Sequence, residues 1–435
     1  HGGVTVHVES GDPSLVLLAP NATTLGTSSL DLFVANGSNT FSFFLQGTDW
    51  VSGTSSAGPV TITASAPGFS NGMGTISYVQ PALRVSGVPA STTTLSTSTD
   101  FRVEIGIPSA GNANVAVLQA RRFGAGSLTA TVVNSDAGVA EIDPNGGGAG
   151  AQIATTSIAA GTSQSAFLEF DPLSVGTTTV SASIPDFITT TAGSPTATVS
   201  TPTINLPGLS SVGSGLQTGT TTGQLGASAH GGVLVHLESS DPSRVLLAPS
   251  GTTAGSASID VSVANGQTAF SFVVQGTDWV TGVSGAATVV VTASAPGFFD
   301  DTATTSYVQA ALRLSTLVTS LASTAANDDF LVQVGLPNAN STDLTTLQVR
   351  RAGAAALSAT VTNSNAAVAE LDPYSGGAGA QVQTASIVAG QSATPNNQAG
   401  GLEFDALAAG TTTVSASIPE FIVTTAGSQS VTVTP

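Results

Sequence analysis

The chain has 435 residues and a net charge of −18, yet only 8% of its residues are charged and 5% aromatic, against roughly 25% charged in an ordinary soluble domain. All eight basic residues are arginine, too few and too scattered to form the basic stripe that a nucleic-acid partner or an anionic membrane surface requires. The absence of cysteine and lysine excludes disulfides, thiol catalysis, Schiff bases and lysine isopeptide staples, so packing and strand pairing must hold the fold.

Composition already points to an all-β protein. Valine and threonine are stiff at χ1 and fit a pleated surface, while 49 glycines and 21 prolines interrupt any long helix. No run approaches the ~18 apolar residues of a membrane-spanning helix, so no membrane insertion is expected. In chain order, Val4–Glu9 alternates valine with polar residues, the period of a half-buried strand. Asp12-Pro13-Ser14 then turns the chain, because proline fixes φ and aspartate bonds its own backbone. Leu15–Leu18 and Ser29–Val34 read as the next strands, followed by Asn36-Gly37, which is expected to close a type I′ hairpin. Thr40–Leu45 and Val60–Ser65 complete the set. About seven short strands per ~100 residues is the pattern of a β-sandwich.

Self-comparison exposes a repeat. His1-Gly2-Gly3-Val4 returns as His230-Gly231-Gly232-Val233, and 33 of the first 50 residues are identical to their partners in 230–279. Arg121-Arg122 maps onto Arg350-Arg351 in the same register, before an insertion near Thr394–Gly400 shifts it. Within each half there is a fainter repeat: Thr61–Phe69 has a counterpart in Thr179–Phe187, and both recur as Val290–Phe298 and Thr413–Phe421. Four modules are therefore expected, at 1–81, 82–201, 202–309 and 310–435. The third opens with Pro202–Ala229 before its His-Gly-Gly-Val, whereas the first starts at His1 and is expected to lack its opening strands. The chain thus reads as a window onto a longer array of two-module blocks.

Two stretches carry a family likeness. The succession Gly-Gly-Val-x-Val-x-x-x-Ser-x-Asp-Pro-Ser (Gly2–Ser14), followed by Thr-Ile-Thr-Ala-Ser-Ala-Pro-Gly-Phe (Thr61–Phe69), resembles the bacterial Ig-like (Big-type) tandem repeats of large secreted and cell-surface proteins. The likeness spans essentially the whole chain. It implies Ig-like sandwiches and an extracellular or cell-surface setting. It also implies a non-catalytic structural role in a filament, sheath or surface layer, with other copies of the chain as partners. An adhesin stalk or a segment that binds glycans is the alternative.

Candidate sites are few. His1, His7 and Glu9 share one strand face, as do His230, His236 and Glu238, and an exposed polar face accounts for both sets. No nucleophile elbow, zinc-binding His pair or phosphate-cradling loop is present. The acidic residues Asp12, Asp49, Asp143, Glu169 and Asp171, with their repeat partners Asp241, Asp278, Asp372, Glu403 and Asp405, are assigned to turns and strand ends. Clustered loop carboxylates can supply the roughly six to eight oxygens that Ca²⁺ takes, which makes the eight aspartates candidate calcium ligands. Trp50 and Trp279 are expected in the core or at a module interface. The arginine pairs are expected to meet acids of an adjacent module or subunit.

Overall fold

The computed structural model describes residues 1–374 and 376–435. Every regular element among them is a β-strand or a single 3₁₀ turn. The chain divides into two compact units, His1–Thr201 and Pro202–Pro435, and each is built from two sandwiches.

In the first unit, the opening sandwich has one antiparallel sheet in the order Ser29–Val34, Val4–Ser10, Gly58–Ser65, Gly72–Tyr78, and a small second sheet of Val16–Ala19 with Phe44–Gly47. The alternation seen in the sequence decides which side chains face inward: Val6 and Val8 from one strand and Val60 and Ile62 from its neighbour meet Val16, Leu18 and Tyr78. Each such side chain contributes about 1.5–3 kcal/mol on full burial. The following sandwich is larger. One sheet runs Ala140–Pro144, Leu168–Pro172, Thr99–Pro108, Ala82–Ser86, Ile188–Thr189, and the other Ile153–Ile158, Leu128–Asn134, Gly176–Ser183, Thr196–Ser200, Ser91–Thr93. Phe101, Phe170, Leu83, Ile142, Val132 and Val180 fill the space between them.

The second unit repeats this plan with one addition. Pro202–Ala229 supplies four short strands, Ile204–Asn205, Val212–Gly213, Leu216–Gln217 and Thr221–Leu225, to the sandwich that begins at His230. The last sandwich keeps both five-strand orders of its counterpart and the same inward set, including Phe330, Phe404, Val361 and Val414.

Two expectations about local structure need correction. Asn36-Gly37 does not close a hairpin: the strand before it pairs with Val4–Ser10, and the strand after it pairs with Val16–Ala19 in the opposite sheet. Only the glycine takes a positive φ (85°), so the two left-handed residues of a type I′ turn are not there. Asn36 is used differently, its Oδ1 accepting the Gly2 N–H, as Asn265 Oδ1 accepts that of Gly231. The strand expected at Thr40–Leu45 begins only at Phe44, whereas its counterpart in the second unit is paired from Ala269 onward. The difference lies in the neighbour: Thr221–Leu225 pairs with that stretch in the second unit, and the first unit has no equivalent strand.

Candidate functional site

The most elaborate polar structure in each unit is the joint between its two sandwiches. It is built from two local devices. The first lies just beyond the strand Phe44–Gly47, where Asp49 receives Arg121 through both guanidinium nitrogens (2.5 and 3.2 Å) and Arg122 at 3.5 Å. In the second unit Asp278 receives Arg350 at 2.5 Å and Arg351 at 3.1 Å. Arg121 Nε and Arg350 Nε each also donate to a carbonyl of the following turn, Gly126 O and Ala355 O. Burial pushes the Asp49 and Asp278 carboxyls up, but the hydrogen bonds and charges of the paired arginines outweigh it and hold both below the ordinary aspartate value.

The second device is a turn found in all four sandwiches. In Ala66-Pro67-Gly68-Phe69, Ile184-Pro185-Asp186-Phe187, Ala295-Pro296-Gly297-Phe298 and Ile418-Pro419-Glu420-Phe421, the fourth N–H donates to the first carbonyl. The third residue has a φ of 67–83°, the type II geometry that favours glycine. The sandwiches that open each unit have glycine there. Those that close it have an acid, at the cost of left-handed strain of about 1–2 kcal/mol. The acid has work to do at the joint: Asp186 O accepts Gln80 Nε2 at 2.9 Å and its carboxylate accepts the Ser52 N–H at 3.1 Å. Glu420 repeats both contacts, with Gln309 at 2.8 Å and the Thr281 N–H at 3.1 Å. The sequence signal was present as a glycine replaced by an acid after proline, but only the joint gives it meaning.

The tryptophans sit beside these contacts. Trp50 stacks on Tyr78 with ring centroids 5.5 Å apart, and Trp279 on Tyr307 at 5.8 Å. Each tyrosine hydroxyl donates to a backbone carbonyl, Tyr78 to Thr48 O at 3.2 Å and Tyr307 to Thr277 O at 3.1 Å. The indoles are half-buried, with one face covered.

The eight aspartates considered as calcium ligands fall into three environments. Asp12 and Asp241 cap turns, each accepting from the N–H and hydroxyl of the serine two residues on, and Asp241 also pairs with Arg244. Asp49 and Asp278 hold the arginine clamps. The remaining four lie at strand ends, each one residue before the last of a short strand: Asp143 faces Glu169 and Asp171 faces Glu141 across one strand pair, while Asp372 faces Glu403 and Asp405 faces Glu370 across the other. Here carboxylates meet carboxylates. Burial first, then neighbouring acids, raises Asp143 (Glu169), Asp171 (Asp143, Glu141 and Glu169) and Asp372 (Asp405). Among the described residues no three or more His, Asp or Glu side chains converge as metal ligands.

The histidines stay on the exposed face. His7 and His236 each contact one aspartate, Asp31 or Asp260, at 2.7 Å. Sequence reasoning passed over Glu104, the one carboxylate among the described residues that is fully buried (2% exposed). It is bracketed by Arg84 at 2.7 Å, Arg102 at 3.0 Å and Gln164 at 2.9 Å. All eight arginines of the chain are engaged with an acid in this way.

No protein-family model matches the chain, and no curated protein matches it. Solved structures do. One is a tetra-tandem repeat in the extending region of a large adhesion protein, with 13% identity, 99% of this chain and 90% of that one covered, and a TM-score of 0.18. Another is domains 4–9 of the surface layer protein SbsC, with 11% identity, 98% of this chain covered and a TM-score of 0.21; this chain spans 57% of that structure. A third is the polymeric Ig receptor ectodomain of a teleost fish, with 8% identity, 52% and 98% coverage and a TM-score of 0.25. At such scores the likeness says nothing of what the chain does.

Proposed function

We propose that the chain is a non-catalytic structural segment of an extracellular bacterial filament, sheath or surface layer, with further copies of itself as its partners. The observation that supports this reading is the joint. Two units that differ at many surface positions build the same clamp from the same parts: one aspartate on two arginines, and one left-handed acid on a glutamine and a backbone N–H. A repeated, internally braced block suits an array whose subunits must keep a constant spacing. The low charge density and the Ala/Val/Thr-rich cores fit a role in which surfaces stack rather than react.

Electron microscopy of the native material tests the proposal. The expected result is a regular polymer or lattice whose period corresponds to a whole number of two-sandwich blocks. Dispersed particles that bind glycans, with binding abolished by Trp50→Ala and Trp279→Ala, would replace it with the adhesin reading.

A further inference from the structure

A long strand at the edge of a sheet leaves one row of backbone donors and acceptors unpaired, and proteins guard such rows with charge, proline or bulges. The sandwiches hold equivalent edge strands: Ser29–Val34 and Ser258–Val263 in those that open a unit, Ile153–Ile158 and Val382–Ile387 in those that close one. Beside Ile153–Ile158, the Asn134 N–H donates to Gln152 O, which sets the phase of the ladder. Ala154, Thr156 and Ile158 therefore turn their N–H and C=O toward Leu128–Asn134, while Ile153, Thr155 and Ser157 turn theirs outward. Among the described residues no backbone group bonds to those outward groups, and Ile153, Thr155 and Ser157 are all exposed. Asn363 and Gln381 set the same phase in the second unit, leaving Val382, Thr384 and Ser386 outward and exposed.

The opening sandwiches guard this edge. Asp31 and Asp260 stand on it in the outward phase, each against the histidine across the ladder, His7 or His236, at 2.7 Å. The closing sandwiches have Thr155 and Thr384 at that place, opposite Thr131 and Thr360. No charge is supplied nearby either: none of the strands of this sheet in either closing sandwich contains an acid, an arginine or a histidine. The facing sheet carries Glu141, Asp143, Glu169 and Asp171, and its own edge strand, Ala140–Pro144, holds two of these acids and ends in proline. The unguarded edge is thus confined to one sheet of the closing sandwich. It returns in the second unit with half of its residues changed, Val382-Gln-Thr-Ala-Ser-Ile387 for Ile153-Ala-Thr-Thr-Ser-Ile158, and still without a charge or a proline.

We propose that Ile153–Ile158 and Val382–Ile387 are the edges along which two copies of this chain join, each strand pairing antiparallel with the same strand of a second copy. Centred on Thr155, the pairing sets Thr155 against its own equivalent and Ile153 against Ser157. The outward groups of the two edges then satisfy one another in about six hydrogen bonds. Such a strand is its own complement, as a two-fold contact between identical chains requires. Charge selects the second copy as the occupant. At a net charge of −18 two copies repel, and they approach at least electrostatic cost along a sheet that holds no carboxylate. A bare edge also offers a foreign strand no charge by which to be chosen. The proposal rests on the reading that the partners of the chain are copies of itself, and it names the surface by which they meet.

Sedimentation of the full chain across a concentration series, with amide hydrogen exchange read in parallel, is the test. The parent is expected to associate. As it does so, exchange of the Thr155, Ser157, Thr384 and Ser386 amides slows, while the Ala154, Thr156 and Ala385 amides, already bonded within the sheet, stay as they were. The double variant Thr155→Asp, Thr384→Asp copies the guard of the opening sandwiches and is expected to weaken association about tenfold or more, because like charges then face each other. Thr155→Pro with Thr384→Pro removes an outward donor and no bond to the neighbouring strand, and the same loss is expected. Thr155→Ser with Thr384→Ser is expected to associate like the parent. Protection of the inward amides reports that each variant is folded. The proposal is overturned if the parent shows no association at any concentration, or if the folded Asp and Pro variants associate as the parent does. The second result would leave copies of the chain as partners through another contact. The array reading itself is decided separately, by micrographs of the native material.

Discussion

The substitution Glu104→Gln keeps the shape of the side chain and removes its charge, leaving Arg84 and Arg102 against a neutral amide. Removing one partner of a fully buried ion pair costs about 3–5 kcal/mol, and losing a fully exposed one about 0–1 kcal/mol. The acid is buried here, but the two arginine side chains are 28% and 30% exposed and can recover part of their hydration. The expected loss lies between those limits, at about 2 kcal/mol. The second unit shows how the same site works without the charge. Gln333 stands in place of Glu104 and accepts Arg313 Nε at 2.9 Å, while the Arg313 guanidinium turns to Asp343 at 3.0 Å. Leu331 replaces Arg102, Ala393 replaces Gln164, and Asp343 replaces Asn114. Because neighbouring substitutions couple, the fourfold variant Arg102→Leu, Glu104→Gln, Asn114→Asp, Gln164→Ala is expected within about 1 kcal/mol of the parent, well above Glu104→Gln alone. Guanidinium unfolding read by hydrogen exchange across Phe101–Ile105 measures both. The reasoning fails if Glu104→Gln costs less than about 0.5 kcal/mol, or if the fourfold variant is no more stable than the single one.

Three further outcomes follow from the joints and the acid pairs. Asp278→Ala should cost about 2 kcal/mol and Asp49→Ala about 1 kcal/mol in denaturant unfolding, because Arg350 is left almost fully buried (5% exposed) and Arg121 less so (12%). Equal costs would mean that arginine burial does not set the penalty. Asp186→Gly should speed exchange of the Ser52 amide while leaving the stability of its own sandwich unchanged or higher, since a left-handed strain of about 1 kcal/mol is relieved; a large global loss would contradict this. The pH dependence has two limbs. Asp143, Asp171, Asp372 and Asp328 are raised in the folded state, the last by burial and by Asp329, so stability is gained as pH falls through their folded values toward the ordinary 3.8. Asp49, Asp241, Asp278 and Asp343 are lowered, so their contribution is present above 3.8 and lost as pH falls through their folded values. Calorimetry should therefore find Tm rising on mild acidification from neutral and falling at lower pH; a Tm that only falls between neutral and the ordinary aspartate value would refute the first limb.

Much of the fold was legible because it is periodic. Valines on alternate positions of Val4–Glu9 report the inward face directly, and Val6 and Val8 are in the core. The repeat was legible because it is literal, and the arginine pairs were correctly expected to meet acids of an adjacent module. What the sequence hid was sheet membership. Asn36-Gly37 marks a turn, but nothing local says that its two flanking strands belong to different sheets. The acids at 141–143 and 169–171 read as strand-end residues because proline ends both short strands at Pro144 and Pro172, but nothing local says that the two strands pair. Glu104 was illegible for a different reason. Its strand alternates normally, with Phe101, Val103 and Ile105 inward, so Glu104 belongs to the outer face. It is buried because its lateral neighbours in the sheet, Arg84 on one side and Gln164, bridged to it from a segment about sixty residues later, on the other, close their side chains on the carboxylate. Such a covering is a long-range contact, and no local pattern announces it.

That every arginine is paired has a consequence for proteolysis. A trypsin-like protease must draw an arginine or lysine out into an extended backbone before it can cut. This chain contains no lysine, and its most exposed paired arginine, Arg244, shows only 32% of its side chain. Each of the eight cleavage points is also fastened to a carboxylate. Cutting therefore requires local opening of a sandwich or a joint, whose equilibrium population falls about tenfold for every 1.4 kcal/mol of local stability. The placement of the few cations that brace the units thus also hides them from a major class of digestive enzyme.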